Sequence, residues 1–252
     1  MHSPPLHYVS LGCGGGRKDV RFLQQAQAQC PQLHFTPTDV SAALVVETML
    51  HLQETLPAIS SSPYVLDLEA HANLSDVLNA PGTADSRRLL SCFGMLPNFD
   101  YTTFLPYIRS LLRPEDCLLI SANLSPTPLP TSQVHILPQY DNPFAHTWFT
   151  GLLDSLGFPT PHLRLTVAAV PLRTDAQVWQ IQAYVTFAQE VSISVYEETF
   201  SFAPGETLRL FFSNRFTPEV MPEILADAGL EIVEAWVFNS HEEGIYLCRP
   251  LP

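Results

Sequence analysis

Over its first half the chain alternates short apolar runs with stretches of helical spacing. Residues 8–11 are compact, apolar and partly β-branched, which predicts a strand. Gly12, Gly14, Gly15 and Gly16 follow at once, and DVRFLQQAQAQ (19–29) then takes up a helical period. A second strand is predicted over 33–36; it ends in PTDVS, where Asp39 falls at the strand tip and Ser41 caps the helix SAALVVETMLHLQETL. A third strand over 62–66 ends at Asp67, Leu68 and Glu69. A fourth over 88–93 is closed by Gly94 and Met95, a helix follows over 101–112, and a fifth strand spans 117–122. Strands and helices in this rhythm predict an α/β fold with a mostly parallel, doubly wound, Rossmann-like sheet.

After Ala122 the rhythm breaks. Residues 125–139 hold four prolines and read as a linker. A helix is expected from Pro143 to about Gly157, then two antiparallel strands over 177–189 and 191–202, a turn at APGE (203–206) and a strand at LRLFFSNRF (208–216). This predicts an inserted α+β lobe over 126–215. Beyond it, Thr217 caps a helix with Pro218 at its first position and Gly229 at its end, and 231–238 and 245–250 form a terminal antiparallel hairpin around SHEEG. Residues 1–125 and 216–252 then make one domain that carries the sheet.

A strand, a glycine-rich turn and a helix N-terminus in that order suit a nucleotide-like ligand. Glycine lets the backbone come close, and the first helical N–H groups are free to donate. The dinucleotide spacing G-x-G-x-x-G needs glycine at position 17, which is Arg17 here. Gly12, Asp39, Asp67 and Gly94 all fall at carboxyl ends of predicted strands, the edge where such sheets bind ligands.

Charge narrows the partners. A net charge of −13 with only 12 basic residues argues against nucleic acid or an anionic membrane and favours a small molecule. No apolar run is long enough to span a bilayer, and the start MHSPPLHYVS has no signal-peptide pattern. Five scattered cysteines without C-x-x-C predict free thiols and a cytoplasmic setting. HEEGI (241–245) is not H-E-x-x-H, the histidines lack ligand spacing, and no metal is expected.

LGCGGGRKD, PTDVS, LDLEAH, the FG of SCFGMLPNFD, PQYDNP and FAPGETLRLFFSNRF, in this order, resemble the histidine-specific methyltransferases that use S-adenosylmethionine (SAM). The resemblance covers residues 8–247 and implies a class I methyltransferase fold with SAM as cofactor. Carried over by position, Gly12 and Gly14 meet the methionine portion, Lys18 its carboxylate and Asp39 the ribose hydroxyls. Asp67 and Leu68 frame the adenine, and Cys13, Val40 and Gly94 complete the cofactor set.

On the substrate side the chain departs from the family. Met95 stands where an asparagine is expected and Phe211 where a glutamate is expected, with Ser213 kept. Tyr140 and Asp141 match the family's Y-D-D element, whose second aspartate is Asn142 here. A buried polar group left without its partner costs roughly 1–3 kcal/mol, so an acceptor other than histidine is expected. Phe93, Met95, Tyr140, Trp148, Phe211 and Phe212 favour an aromatic or apolar body, while Tyr140, Asp141 and Ser213 are the candidates to orient an amine or take its proton. The chain begins almost at the first strand, so the family's N-terminal extension is expected to be absent and a partner protein, a second copy or a carrier-bound substrate is expected to complete the pocket. A non-catalytic SAM-binding subunit and an aminocarboxypropyl transferase stay open as alternatives.

Overall fold

A computed structural model describes residues 4–70, 74–158 and 162–252. His71, the last residue of LDLEAH, lies outside them. In chain order the elements are β1 (Leu6–Leu11), α1 (Arg17–Ala26), β2 (Leu33–Asp39), α2 (Ala42–Thr55), β3 (Ser60–Ser61), β4 (Tyr64–Val65), α3 (Leu74–Leu78), β5 (Arg87–Cys92), α4 (Tyr101–Leu111) and β6 (Cys117–Asn123). There follow α5 (Gln133–Ile136), α6 (Pro143–Ser155), β7 (Leu163–Pro171), β8 (Val178–Phe187), β9 (Val191–Val195), β10 (Glu198–Phe202), β11 (Thr207–Phe216), α7 (Met221–Asp227), β12 (Leu230–Val237) and β13 (Glu243–Pro250).

The main sheet runs β12-β13-β6-β5-β1-β2-β3, with β4 also on β2. β1, β2, β5 and β6 are parallel, and β13 enters antiparallel beside β6. Strand order reverses at β1, which pairs with β2 on one side and β5 on the other. That reversal opens the crevice at the carboxyl ends where such sheets bind ligands.

Alternation along β1 serves two cores. Val9 and Leu11 join Leu90, Ile120, Phe104 and Leu225 on one face, while Tyr8 packs with Val20, Leu23, Phe35 and Leu52 on the other. This is the doubly wound arrangement expected of a class I methyltransferase, closed by the antiparallel β12–β13 pair.

Several boundaries differ from the expectation. The third strand shrinks to Tyr64–Val65 beside the separate β3, because Pro63 interrupts the run. The proline-rich stretch 125–139 is not a plain linker: it forms α5, anchored by the buried Ile136. VSISVYEETFSF is two strands, since Tyr196 turns the chain at a φ of 54°. β7 is an unanticipated partner of β8. The last helix begins at Met221 with Pro222 in its first turn, after a turn that takes in Pro218.

β11, β8 and β7 form a second sheet whose end enters the main body. Phe216 sits in the main core and bridges Leu124 just past β6, so the lobe is tied to the tip of the main sheet.

Beneath this frame His7 is fully buried, with Nε2 on Thr36 Oγ1 at 2.8 Å and Nδ1 without a partner. Burial first, then the charges of His34 and Arg88, lower its pKa to about 4. The unfolded chain therefore takes up this proton first, near pH 6.5, and the folded chain last. Stability is expected to fall by about 2 kcal/mol from this group as pH drops from 6.5 to 4. Urea titrations of wild type and His7→Gln at pH 7 and pH 4 check it; an equal acid loss in both chains would rule the cause out.

Candidate active site

The glycine loop is shaped by what packs on it. Gly12 and Gly16 have φ of 74° and 69°, the left-handed region that side chains disfavour. A Cβ on Gly12 would lie 2.6 Å from Met95 Sδ, and one on Gly16 would lie 2.6 Å from Thr48 Cγ2. Gly16 needs glycine for both reasons, whereas at Gly12 the flexible Met95 side chain could shift and the positive φ is the firmer requirement. The N–H groups of Gly12 and Cys13 donate to the Thr38 carbonyl at 2.9 and 2.8 Å, tying the loop to β2. Thr48 of α2 donates to the Gly14 carbonyl at 2.8 Å. The N-cap of α1 is Gly16, so no side chain at that position satisfies the helix's first N–H groups.

Beside the loop lies a cavity of about 490 Å³, lined by residues 12–17 together with Lys18, Asp19, Leu44, Glu47 and Phe93. Lys18 Nζ stands 5.7 Å from the centre of the Phe93 ring. Phe93, predicted on the substrate side, thus shares a wall with the loop. Asp19 is buried and accepts the Tyr8 hydroxyl at 2.6 Å, while Ser91 donates to Tyr8 at 2.8 Å. Burial raises the Asp19 pKa. Burial also pushes the Cys13 thiol up to about 11, so it stays neutral and no nucleophile near pH 7.

Asp39 ends β2 with each oxygen engaged: Oδ2 accepts the Gly14 N–H at 3.0 Å and Oδ1 the Ser41 N–H at 2.9 Å. A carboxylate has about four acceptor positions, so two remain for a ligand. Val40 is exposed. Asp39 is the register partner of Val65, which places Asp67 two residues past the end of the neighbouring strand β4. Asp67 is exposed and accepts the Glu69 N–H, whereas Leu68 is buried in the main core. At the tip of β5, Gly94 donates its N–H to Ser121 Oγ at 2.8 Å and Met95 lies against Gly12.

The remaining predicted residues gather where the lobe meets β6. Phe211 is ringed by Tyr140, Trp148 and Phe149, with centroids 5.8, 5.8 and 5.1 Å away. Ser213 is buried and accepts from Asn123 Nδ2, at the end of β6, at 3.4 Å. Tyr140 Oη accepts from Arg215 at 2.7 Å. Asp141 stands at the surface with His146 Nε2 at 2.7 Å, outside the aromatic cluster, and Asn142 caps α6 through the Ala145 N–H. Phe212 points to the opposite face of β11, stacked under Arg209.

Sequence reasoning passed over Asp19, Leu44, Glu47 and Arg215. Asp19 was readable: with Val20 and Leu23 it falls on the buried face of α1. Arg215 was readable too, since it is in phase with Phe211 and Ser213 along β11. Glu47 carried no comparable signal. Among the described residues no cluster of His, Cys, Asp or Glu suits a metal, and no helix is long and apolar enough to cross a membrane.

The chain is similar to known proteins. The chain is 24% identical over 236 residues to the N-methyltransferase fsqC of Aspergillus fumigatus, covering 91% of this chain and 62% of that protein. It is 23% identical over 261 residues to the histidine N-alpha-methyltransferase of Mycobacterium tuberculosis, covering 95% of this chain and 74% of that one. It thus spans less than two thirds of the first relative. Among solved structures, LepI in complex with SAM superposes with a TM-score of 0.50 at 11% identity, over 98% of this chain and 43% of LepI, a likeness of fold. Residues 2–250 match the family described as histidine-specific methyltransferase, SAM-dependent, and the chain belongs to that family.

Proposed function

We propose that this chain methylates a nitrogen of a small amine or amino-acid derivative other than histidine, with SAM as the methyl donor. The residues beside the loop fit SAM chemically. Lys18 offers a cation to a carboxylate, Asp19 and Glu47 offer carboxylates to an ammonium, and Asp39 keeps two acceptor positions for ribose hydroxyls. Asp67 and the Leu68 backbone are the proposed adenine contacts, with Gly12, Cys13, Gly14, Val40 and Gly94 framing the rest. The cavity falls in the usual range for ligand sites, about 300–1,000 Å³. When bound, SAM supplies an electrophilic methyl on its sulfonium.

The chain's own work is to hold an amine in line with that methyl and to keep water out. One observation carries the choice of acceptor: Phe211 stands in an aromatic cluster with Tyr140, Trp148 and Phe149. The family's glutamate belongs at that position, and the thioether of Met95 replaces the expected asparagine over Gly12. An imidazole and its polar partners would lose their hydrogen bonds here, whereas an apolar ring gains contact. Two relatives that bear N-methyltransferase names support nitrogen as the accepting atom.

The test is incubation with methyl-labelled SAM and a panel of aromatic and aliphatic amines and amino acids. Labelled product with S-adenosylhomocysteine is expected; methylthioadenosine in its place would mean aminocarboxypropyl transfer. Asp39→Ala should weaken SAM binding by 10- to 100-fold, since charge-assisted hydrogen bonds contribute about 1.5–3 kcal/mol. Unchanged affinity by calorimetry would remove Asp39 from the site.

A further inference from the structure

One face of α6 is apolar and bare. Phe144, Trp148, Leu152 and Leu156 fall four apart from its first turn to its C-cap, and are 85, 65, 64 and 38% exposed. The helix already has a face for its own core, where Phe149 and Leu153 are buried. The exposed row is a second apolar face, and nothing among the described residues covers it. Large side chains in an unbroken row differ from the scattered apolar exposure of an ordinary surface. Beside the row lies a recess of about 620 Å³, walled by Trp148, Leu152, Leu156, Ile193, Phe200 and Leu210.

Next to the large row runs a row of small residues, Thr147, Gly151 and Ser155, all exposed. Thr147 donates to the Pro143 carbonyl at 3.0 Å and Ser155 to the Leu152 carbonyl at 2.7 Å. Covering these hydroxyls therefore strands no donor. Gly151 has no reason within the single chain. A Cβ there would meet no atom within 4 Å and its φ is not left-handed, yet glycine inside a helix is destabilising relative to alanine.

A ridge of large side chains beside a groove of small ones, both at i±4 spacing, is complementary to itself. Such ridges interdigitate at a crossing of about 50°, and across a twofold axis each surface supplies both ridge and groove. Neither row holds an ionisable side chain. That suits two chains of charge −13, because like charges brought together oppose association. We propose that α6 docks against α6 of a second copy of this chain, the two helices running in opposite directions and crossing at Gly151. Trp148 then faces the partner's Leu152, and each Phe144 reaches the recess beside the partner's Leu156. The exposed parts of Phe144 and Trp148 alone offer about 300 Å² per copy. Leu152, Leu156 and the walls of the recess bring the face towards the roughly 800 Å² per partner of a stable interface. Trp148 also stands 5.8 Å from Phe211, so docking covers the outer side of the aromatic cluster. The contact goes beyond methyl transfer and does not depend on it.

Sedimentation velocity of the full chain over a range of concentrations is expected to show a reversible dimer. Leu152→Glu sets a carboxylate near the axis in both copies and should loosen the dimer at least tenfold, with unchanged circular dichroism. Gly151→Ala separates interface from fold. Its methyl enters open space in the single chain, so the unfolding midpoint of the dilute monomer should rise while the dimer weakens. A chain that stays monomeric at every concentration, or a dimer that both variants leave intact, would overturn the proposal. So would a monomer that pellets with phosphatidylcholine vesicles, which gives the face to a lipid surface instead.

Discussion

Asp116→Ala is expected to lower the stability of the chain by about 3–5 kcal/mol, the usual cost of breaking a buried ion pair by removing one partner. Asp116 is 1% exposed. Its Oδ2 accepts from Nε of Arg88 at 2.8 Å, from Nη2 of the same guanidinium, and from the Arg113 N–H at 2.8 Å. Arg88 also donates to the Leu111 carbonyl at the end of α4. One carboxylate therefore holds the start of β5, the end of α4 and the turn into β6. Its loss strands a guanidinium in the interior. Urea unfolding checks the size, and the double variant Arg88→Met with Asp116→Leu should recover much of the loss because it removes both charges. Single and double variants of equal stability would show that the pair does not set the cost.

Gly16→Ala is the second large effect, at roughly 2–4 kcal/mol. The left-handed conformation costs a side chain about 1–2 kcal/mol, and overpacking adds about 1–3 kcal/mol. The added methyl would lie within 2.9 Å of Cγ2, Oγ1 and Cβ of Thr48. These are stiff, β-branched atoms on a buried face of α2, so they have little room to give. Relief would come from lifting the loop away from α2, which also moves the N-terminus of α1 out of line with the cavity beside the loop. Calorimetry with S-adenosylhomocysteine should show at least a tenfold loss of affinity beside the lower unfolding midpoint. Thr48→Ser in the same chain removes Cγ2 and should return part of both. Full affinity in Gly16→Ala would mean that the loop is not the cofactor cradle.

The half of the fold built by local periodicity was readable in the chain. β1, the glycine loop, α1, β2 and α2 each carry their own signal in apolar spacing, caps and glycines, and the main sheet follows from their order. The lobe was harder because its determinants are not local. VSISVYEETFSF alternates on either side of a break at 195–199, and that break is too short to announce the left-handed turn at Tyr196 that folds it into β9 and β10. LRLTVAAVP alternates only over 163–167 and then runs apolar, so the full length of β7 shows itself only against β8. At the site, the glycines and the acidic strand tips were visible by type and position. The contact between Arg215 and Tyr140 spans 75 residues, and only folding brings it about.

The bulge in β11 between Arg209 and Phe211 has a bearing on how such a chain can diversify. A bulge absorbs one extra residue and resets the alternation. Outward of it lie Leu208 and the β9–β10 hairpin; inward of it Phe211, Ser213 and Arg215 keep their phase up to Phe216 in the main core. Insertions and exchanges on the outer side can therefore accumulate without turning Phe211, Ser213 and Arg215 to the wrong side. The lobe cluster and the main core share one strand, yet the bulge lets its two halves drift at different rates.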